Sequence, residues 1–312
     1  MDLTTSYLGL KLAHPLVPGA CPLTAEVDSI LRLEDAGAPA VVLNSLFEEQ
    51  IAAGPRRTAC APSDPAGYLE HVNRVKESVR IPVIASLNGT TDEGWTSFAS
   101  LVEQAGADAL ELNLYHLSTN LWTSGATLEA YTLDTVRAVR TLVSIPVAVK
   151  IFPYFSSIPS IARQFEEIGV NGLVPFNRSY QPDIDLERFE VKPDLRLSSS
   201  SELLSRLYWV AMLSGRVDLS LAVTGGVHSG ADALKAILAG ADAVQMVSAL
   251  LQHGPRHLAF VRREMEEWLE AHGFSSLDEV RGSMSLEKRE DPRAFTRAGI
   301  LQVLQRGISA EN

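Results

Sequence analysis

The sequence predicts an α/β fold of the (β/α)8 TIM-barrel type, with extended loops at the C-terminal face of the strands. Three observations predict it. Short apolar β runs alternate with helical patterns along the chain. A junction recurs in which a helix ends in Gly and a short step leads into the next strand: Gly37-Ala38-Pro39-Ala40-Val41-Val42-Leu43, Gly106-Ala107-Asp108-Ala109-Leu110-Glu111-Leu112, Gly169-Val170-Asn171-Gly172-Leu173-Val174-Pro175 and Gly240-Ala241-Asp242-Ala243-Val244-Gln245-Met246. The turn after the first strand, Pro18-Gly19-Ala20-Cys21-Pro22, lacks the Gly-x-Gly-x-x-Gly pattern that a doubly wound dinucleotide fold would carry there.

The elements follow in order. The first strand is read at 16–20 and the second at 41–43. Ile-Pro opens the third, at 81–87, and the fifth, at 145–151, with the fourth between them at 109–112. The sixth lies at 172–175, the seventh at 219–224 and the eighth at 243–246. Helical patterns occupy 29–36, 95–104, 128–143, 158–168, 202–213, 231–239 and 258–272. The strands are almost continuously apolar, as expected for a parallel sheet covered on both faces, and each junction Gly stands where a helix C-cap takes a left-handed residue. No composition break divides the chain, so 1–312 reads as one barrel domain with a C-terminal extension from about 273 to 312. Three longer irregular stretches, 48–67, 115–127 and 178–201, follow strand ends and therefore belong to the face where barrel enzymes build active sites.

Composition excludes several function classes. The 27 Lys and Arg against 38 Asp and Glu give a net charge of −11, with no basic cluster of the kind a nucleic-acid backbone requires. The 2 cysteines, Cys21 and Cys60, do not make a disulfide framework and fit a reducing compartment. The N-terminal Met1-Asp2-Leu3-Thr4-Thr5 has neither a basic leader nor an apolar core, and no apolar run approaches the roughly 20 residues that cross a bilayer. A cytoplasmic protein with no membrane or nucleic-acid partner and a small-molecule substrate is expected.

Chemistry concentrates where the apolar strands finish in polar residues: Asn44-Ser45, Asn88, Asn113, Lys150, Asn177, Thr224-Gly225-Gly226 and Ser248. In a closed barrel these ends converge on one mouth. Lys150 places an ammonium inside an apolar strand, where burial must be offset by an anion or by acceptors. It reads as paired with a carboxylate such as Glu111, as a Schiff-base nucleophile, or as a cation facing a bound cofactor. Thr224-Gly225-Gly226, with Ser248-Ala249 at the next helix start, offers backbone N–H groups to a phosphate. His116, on the loop after Asn113, is the candidate for acid/base chemistry, and His228 stands beside the phosphate-binding stretch. No metal-ligand spacing is present.

These residues resemble the dihydroorotate dehydrogenase family, in its cytosolic FMN-dependent branch and the bacterial dihydroorotate dehydrogenase-like proteins. The resemblance spans essentially the whole chain: His14-Pro15-Leu16-Val17-Pro18-Gly19-Ala20, Ser45-Leu46-Phe47-Glu48-Glu49-Gln50-Ile51, Leu110-Glu111-Leu112-Asn113, Pro146-Val147-Ala148-Val149-Lys150, Phe176-Asn177-Arg178, Thr224-Gly225-Gly226-Val227 and the closing Phe274-Ser275-Ser276-Leu277-Asp278-Glu279-Val280-Arg281-Gly282. It implies an FMN across the barrel mouth, its phosphate on Thr224, Gly225, Gly226, Ser248 and Ala249 and its ring near Gly19, Ala20, Cys21 and Ser45. Lys150 would face the pyrimidine edge of the ring and stabilise the negative charge of the reduced flavin, and Asn88, Asn113 and Asn177 would bond a planar pyrimidine substrate, with Asn113 and Asn177 also contacting the cofactor. The implied reaction takes a proton from one ring carbon and passes hydride from its neighbour to flavin N5. Members of this branch commonly dimerise, so a homodimer is an expected assembly.

Three positions depart from the family pattern. His116 stands where the loop base is a Cys or Ser, Asn44 where a flavin-contacting Lys precedes the matched Ser, and Arg178 where a Ser or Thr follows the strand-six Asn; as a substrate-site residue, this large cation either fills the orotate pocket or clamps a different carboxylate. A barrel aldolase or isomerase using Lys150 on a phosphorylated substrate, and a flavin- or nucleotide-binding barrel without turnover, are the alternative readings.

Overall fold

The computed structural model describes residues 1–52, 65–89, 92–115, 118–178, 181–192, 196–299 and 301. Eight barrel strands run β1 (Leu16–Pro18), β2 (Val41–Val42), β3 (Val83–Gly89), β4 (Ala109–Leu114), β5 (Val147–Ile151), β6 (Gly172–Pro175), β7 (Ser220–Thr224) and β8 (Ala243–Met246). They pair in the order β1-β8-β7-β6-β5-β4-β3-β2, every pair parallel. The two ends, β1 and β2, pack beside each other, so the sheet curls into a nearly closed barrel.

Side chains alternate inward and outward along each strand, so every strand feeds two cores. Val17, Val42, Ile84, Ala109, Ala148, Val174, Ala222 and Ala243 share the inner core. Leu110, Leu112, Val149, Leu173, Val223 and Val244 point the other way, into the core under the helices. Two residues beyond the inner apolar level, the same inward face carries Asn44, Ser86, Glu111, Lys150, Thr224 and Gln245. The register sets Ser86 against Glu111, Asn88 against Asn113 and Asn113 against Lys150, so polar groups of adjacent strands stand level. The barrel is thus apolar below and polar at its mouth.

The lower end is closed by an antiparallel hairpin, Thr5–Tyr7 with Leu10–Leu12, whose Tyr7, Leu8 and Leu12 join the inner core. Sequence reading does not anticipate it. The surrounding helices are α1 (Val27–Asp35), α2 (Pro65–Ser78), α3 (Asp92–Gln104), α4 (Gly125–Leu142), α5 (Ile158–Ile168), α6 (Leu203–Leu213), α7 (Gly230–Ala239) and α8 (His257–Ala271). The expected helical patterns fall within a few residues of these bounds. Helix α7 opens on a reciprocal Ser229–Asp232 capping box and stops at Gly240, whose φ of 113° a side-chain-bearing residue would resist.

All three stretches expected to be irregular contain elements or parts of them, with α4 entering 115–127 at Gly125. A short helix, Glu48–Ala52, follows β2, and α2 starts at Pro65, inside the stretch 48–67. A hairpin, Asp183–Asp185 with Glu190–Lys192, lies within 178–201. At the C-terminal side, Leu277 and Val280 are buried, and the main chain straps the outer helices through Gly282 N–H to Ile237 O (2.9 Å) and Leu286 N–H to Ala211 O (2.8 Å). Among the described residues, no helix is long and apolar enough to cross a membrane.

Candidate active site at the barrel mouth

A cavity of about 540 Å³ opens where the strands end, and every barrel strand or the turn after it contributes to its wall. Its floor is ionic. Lys150 Nζ donates to Glu111 Oε1 and to Gln245 Oε1, each at 3.0 Å, and Gln245 Nε2 donates to the other Glu111 oxygen. All three side chains are almost wholly withdrawn from solvent. An ammonium has three donors, so two partners leave one N–H for the cavity that Lys150 lines. With Nζ tied to a carboxylate and an amide oxygen, the side chain is fixed in place as an oriented donor, which suits an electrostatic role at the cavity floor. Pairing with Glu111 and facing a ligand are therefore compatible. Beneath the network the fully buried Tyr7 hydroxyl is pushed well above its usual pKa by burial, with Glu111 and Asp242 adding to the shift, and it remains neutral.

One side of the wall is amide. Asn177 Nδ2 donates to Asn113 Oδ1 at 2.6 Å, while Asn177 Oδ1 accepts the Arg178 N–H at 2.8 Å, and Asn88 stands level with Asn113. Tyr115 is held edge-on against Phe152, ring centroids 4.5 Å apart. Across the mouth, Ser45 Oγ pairs with Ser86 Oγ at 2.8 Å, and Tyr68 brackets Ser86 by bonding both its N–H and its carbonyl. Asn44 Oδ1 is buried at this wall without a hydrogen-bond partner. Burial raises the pKa of Cys21, so its thiol is not a ready thiolate.

The turn after β7 packs closely against the start of α6. Gly225 and Gly226 both have positive φ, 84° and 80°. A Cβ on Gly225 would stand 3.2 Å from Arg206 Nη2, and one on Gly226 2.6 Å from Leu203 N. Ser248 Oγ accepts the Ser198 N–H at 2.9 Å, and Ser198 Oγ accepts the Gly226 N–H at 3.2 Å. His228 Nε2 lies 3.4 Å from the same Ser198 hydroxyl. Behind Gly225, Arg206 donates to the carbonyls of Thr224 (2.9 Å), Glu202 (2.6 Å) and Phe176 (3.4 Å), clamping the ends of β6 and β7 together.

Of the residues expected at the site, Ala20, Cys21, Ser45, Asn88, Asn113, Lys150, Asn177, Arg178, Thr224, Gly225 and Ser248 line this cavity. Three stand behind the wall. Gly19 backs onto Val247 and Gln245, Gly226 spends its N–H on Ser198, and Ala249 is fully buried in the short helix Ser248–His253. His116 lies outside the described residues, as does Cys60. Sequence reading missed Ser198, hidden in an irregular stretch, and Arg206; a lone Arg in the apolar run Leu203–Leu213 was the available signal for the latter. Among the described residues no group of three or more His, Cys, Asp and Glu could hold a metal ion.

Comparison with known proteins agrees with this arrangement. Residues 66–269 match the family model for dihydroorotate dehydrogenase. The chain is 30% identical to the dihydroorotate dehydrogenase B (NAD(+)) catalytic subunit of Methanothermobacter thermautotrophicus, over 90% of this chain and 97% of that protein. It is 27% identical to the protein of the same name from a Geobacter species, over 91% and 99%. It is 24% identical to the chloroplastic dihydropyrimidine dehydrogenase (NADP(+)) of Arabidopsis thaliana, over 90% and 76%. With the barrel, the ionic floor and the amide wall in the same chain, the protein belongs to the dihydroorotate dehydrogenase family.

Proposed function

We propose that the mouth cavity seats FMN and that the chain is a dehydrogenase oxidising a CH–CH pair of a dihydropyrimidine-like ring, dihydroorotate being the reference substrate. The observation that carries this reading is the buried Lys150–Glu111–Gln245 floor beneath the Asn88, Asn113 and Asn177 wall, in a chain of this family. The donors and acceptors suit a flat heterocycle with carbonyl oxygens and ring N–H groups. Lys150 offers an N–H, Asn44 an unsatisfied carbonyl oxygen, and the turn after β7 brings the main chain of Gly225 to the cavity wall, where a phosphate could meet it.

FMN, when bound, supplies the hydride acceptor. Thr224, Gly225 and Ser248, with Gly226 and Ala249 behind them, would hold its phosphate, and Lys150 its pyrimidine edge, with Gly19, Ala20, Cys21 and Ser45 along the ring. The protein's own residues do the remaining work. Asn88, Asn113 and Asn177 orient the substrate ring, and the Asn113–Asn177 hydrogen bond fixes both amides so that neither must reorganise. His116 is the proposed base for the ring-carbon proton. Electrons then leave to a partner: this chain's 2 cysteines cannot supply the four thiolates of an iron–sulfur cluster, so any such centre belongs to another subunit, in keeping with relatives named as catalytic subunits.

Anaerobic mixing of the FMN-loaded protein with dihydroorotate or dihydrouracil tests the reading by flavin absorbance. Bleaching by at least one is expected, and His116→Ala should slow it by a factor of roughly 10²–10⁴ without releasing FMN. A loaded protein that neither substrate bleaches contradicts the proposed activity.

A further inference from the structure

Among the described residues, the cavity wall between β6 and β7 carries more arginines than carboxylates beside them. Arg178 and Arg206 share, among the described residues, a single carboxylate, Glu202, at 3.4 Å and 4.0 Å respectively. The neighbouring Arg196 has its own partner in Asp183 at 3.0 Å. Arg206 is committed to three main-chain carbonyls. Arg178 is not: its Nη1 is buried without a hydrogen-bond partner, because the contact with Glu202 lacks hydrogen-bond geometry. A guanidinium N–H withdrawn from water and ion-paired without a hydrogen bond costs free energy that a better-aligned anion would recover.

The opposite wall has the complementary deficit. Asn44 Oδ1 is a buried acceptor without a donor, and the side chain is neutral. A ligand spanning the cavity therefore meets an acceptor that wants an N–H on the β2 side and a cation that wants an anion on the β6 side. Arg178 is also well placed to discriminate. Its main-chain N–H anchors Asn177 Oδ1, so the cationic side chain stems from a residue already tied into the amide wall.

Resting on the FMN-dehydrogenase reading above, we propose that Arg178 is a specificity-determining anion anchor, which takes the carboxylate of the substrate ring on the β6 side of the cavity while Asn44 accepts a ring N–H. The same chemistry would suit the cofactor phosphate, and the arms of the experiment separate the two sources.

Calorimetric titration of orotate and uracil into wild type, Arg178→Gln and Arg178→Lys reads the anchor directly, with FMN and riboflavin titrated into the flavin-free forms of each. The expected result is that Arg178→Gln weakens orotate about tenfold or more while uracil and FMN change little, and that Arg178→Lys, which keeps the charge and loses the fork, falls between. Equal loss for orotate and uracil, or no loss for either, overturns the proposal. Loss of FMN affinity with riboflavin unchanged also overturns it, because Arg178 would then serve the phosphate. A wild type that binds no flavin, with Arg178→Gln still losing orotate selectively, would defeat the dehydrogenase reading and leave the anchor standing. Flavin binding without any orotate selectivity would do the reverse.

Discussion

Lys150 shows how a charge survives inside a barrel. Its ammonium and the Glu111 carboxylate are nearly solvent-free, so neither is tolerable alone, and Gln245 bonds both. Because the pair is close to neutral, what it presents to the cavity is an oriented N–H more than a bare charge. Glu111→Gln keeps the shape and removes the counter-charge; it should cost roughly 3–5 kcal/mol in denaturant unfolding and make the potential of a bound flavin more positive, read by dye-linked reduction. The double change Glu111→Gln with Lys150→Met should recover much of that stability. Much of this residue-level picture is readable in the chain alone, since Lys150 and Asn113 interrupt apolar strands at positions that face inward. Ser198 and Arg206 are not so readable, because their roles depend on loop and helix positions that no local pattern encodes.

At the scale of elements, the strand order follows from junctions that end in Gly, but the closing pieces do not. The hairpin strands Thr5–Tyr7 and Leu10–Leu12 are too short to show a period. Helix α2 buries Tyr68 and His71 among Val72 and Val75, so polar atoms occupy its core face and blur its apolar stripe. Two predictions belong here. Gly226→Ala would force a Cβ against Leu203 N at a positive φ, and should lower stability by about 1–3 kcal/mol and weaken FMN binding, read by unfolding and dialysis. His14 ties the entry of β1 to the end of α1: its Nε2–H donates to Gly37 O at 2.7 Å and its Nδ1 accepts the Leu16 N–H at 3.2 Å. Burial lowers its pKa from 6.5 to about 4, so between those values the unfolded chain binds the extra proton. Stability should therefore fall as pH drops from 6.5 towards 4, by roughly 3 kcal/mol from this group. His14→Gln should flatten that part of the pH profile in thermal unfolding.

The whole molecule divides its labour along the barrel axis. Small apolar side chains and the N-terminal hairpin seal the lower end, and the strand register lifts amides, an ion pair and glycine turns together at the upper end. An acidic chain of net −11 repels anions at long range, so the proposed anion binding would have to come from local groups: the turn after β7, Lys150 and Arg178. The central claim is that this mouth is a flavin site. Its most direct test is the visible absorption of the purified chain together with titration of its flavin-free form by FMN. The account predicts a yellow protein that takes up one FMN per chain and loses affinity when Lys150 is replaced by Met. A colourless protein that takes up no added FMN would contradict it.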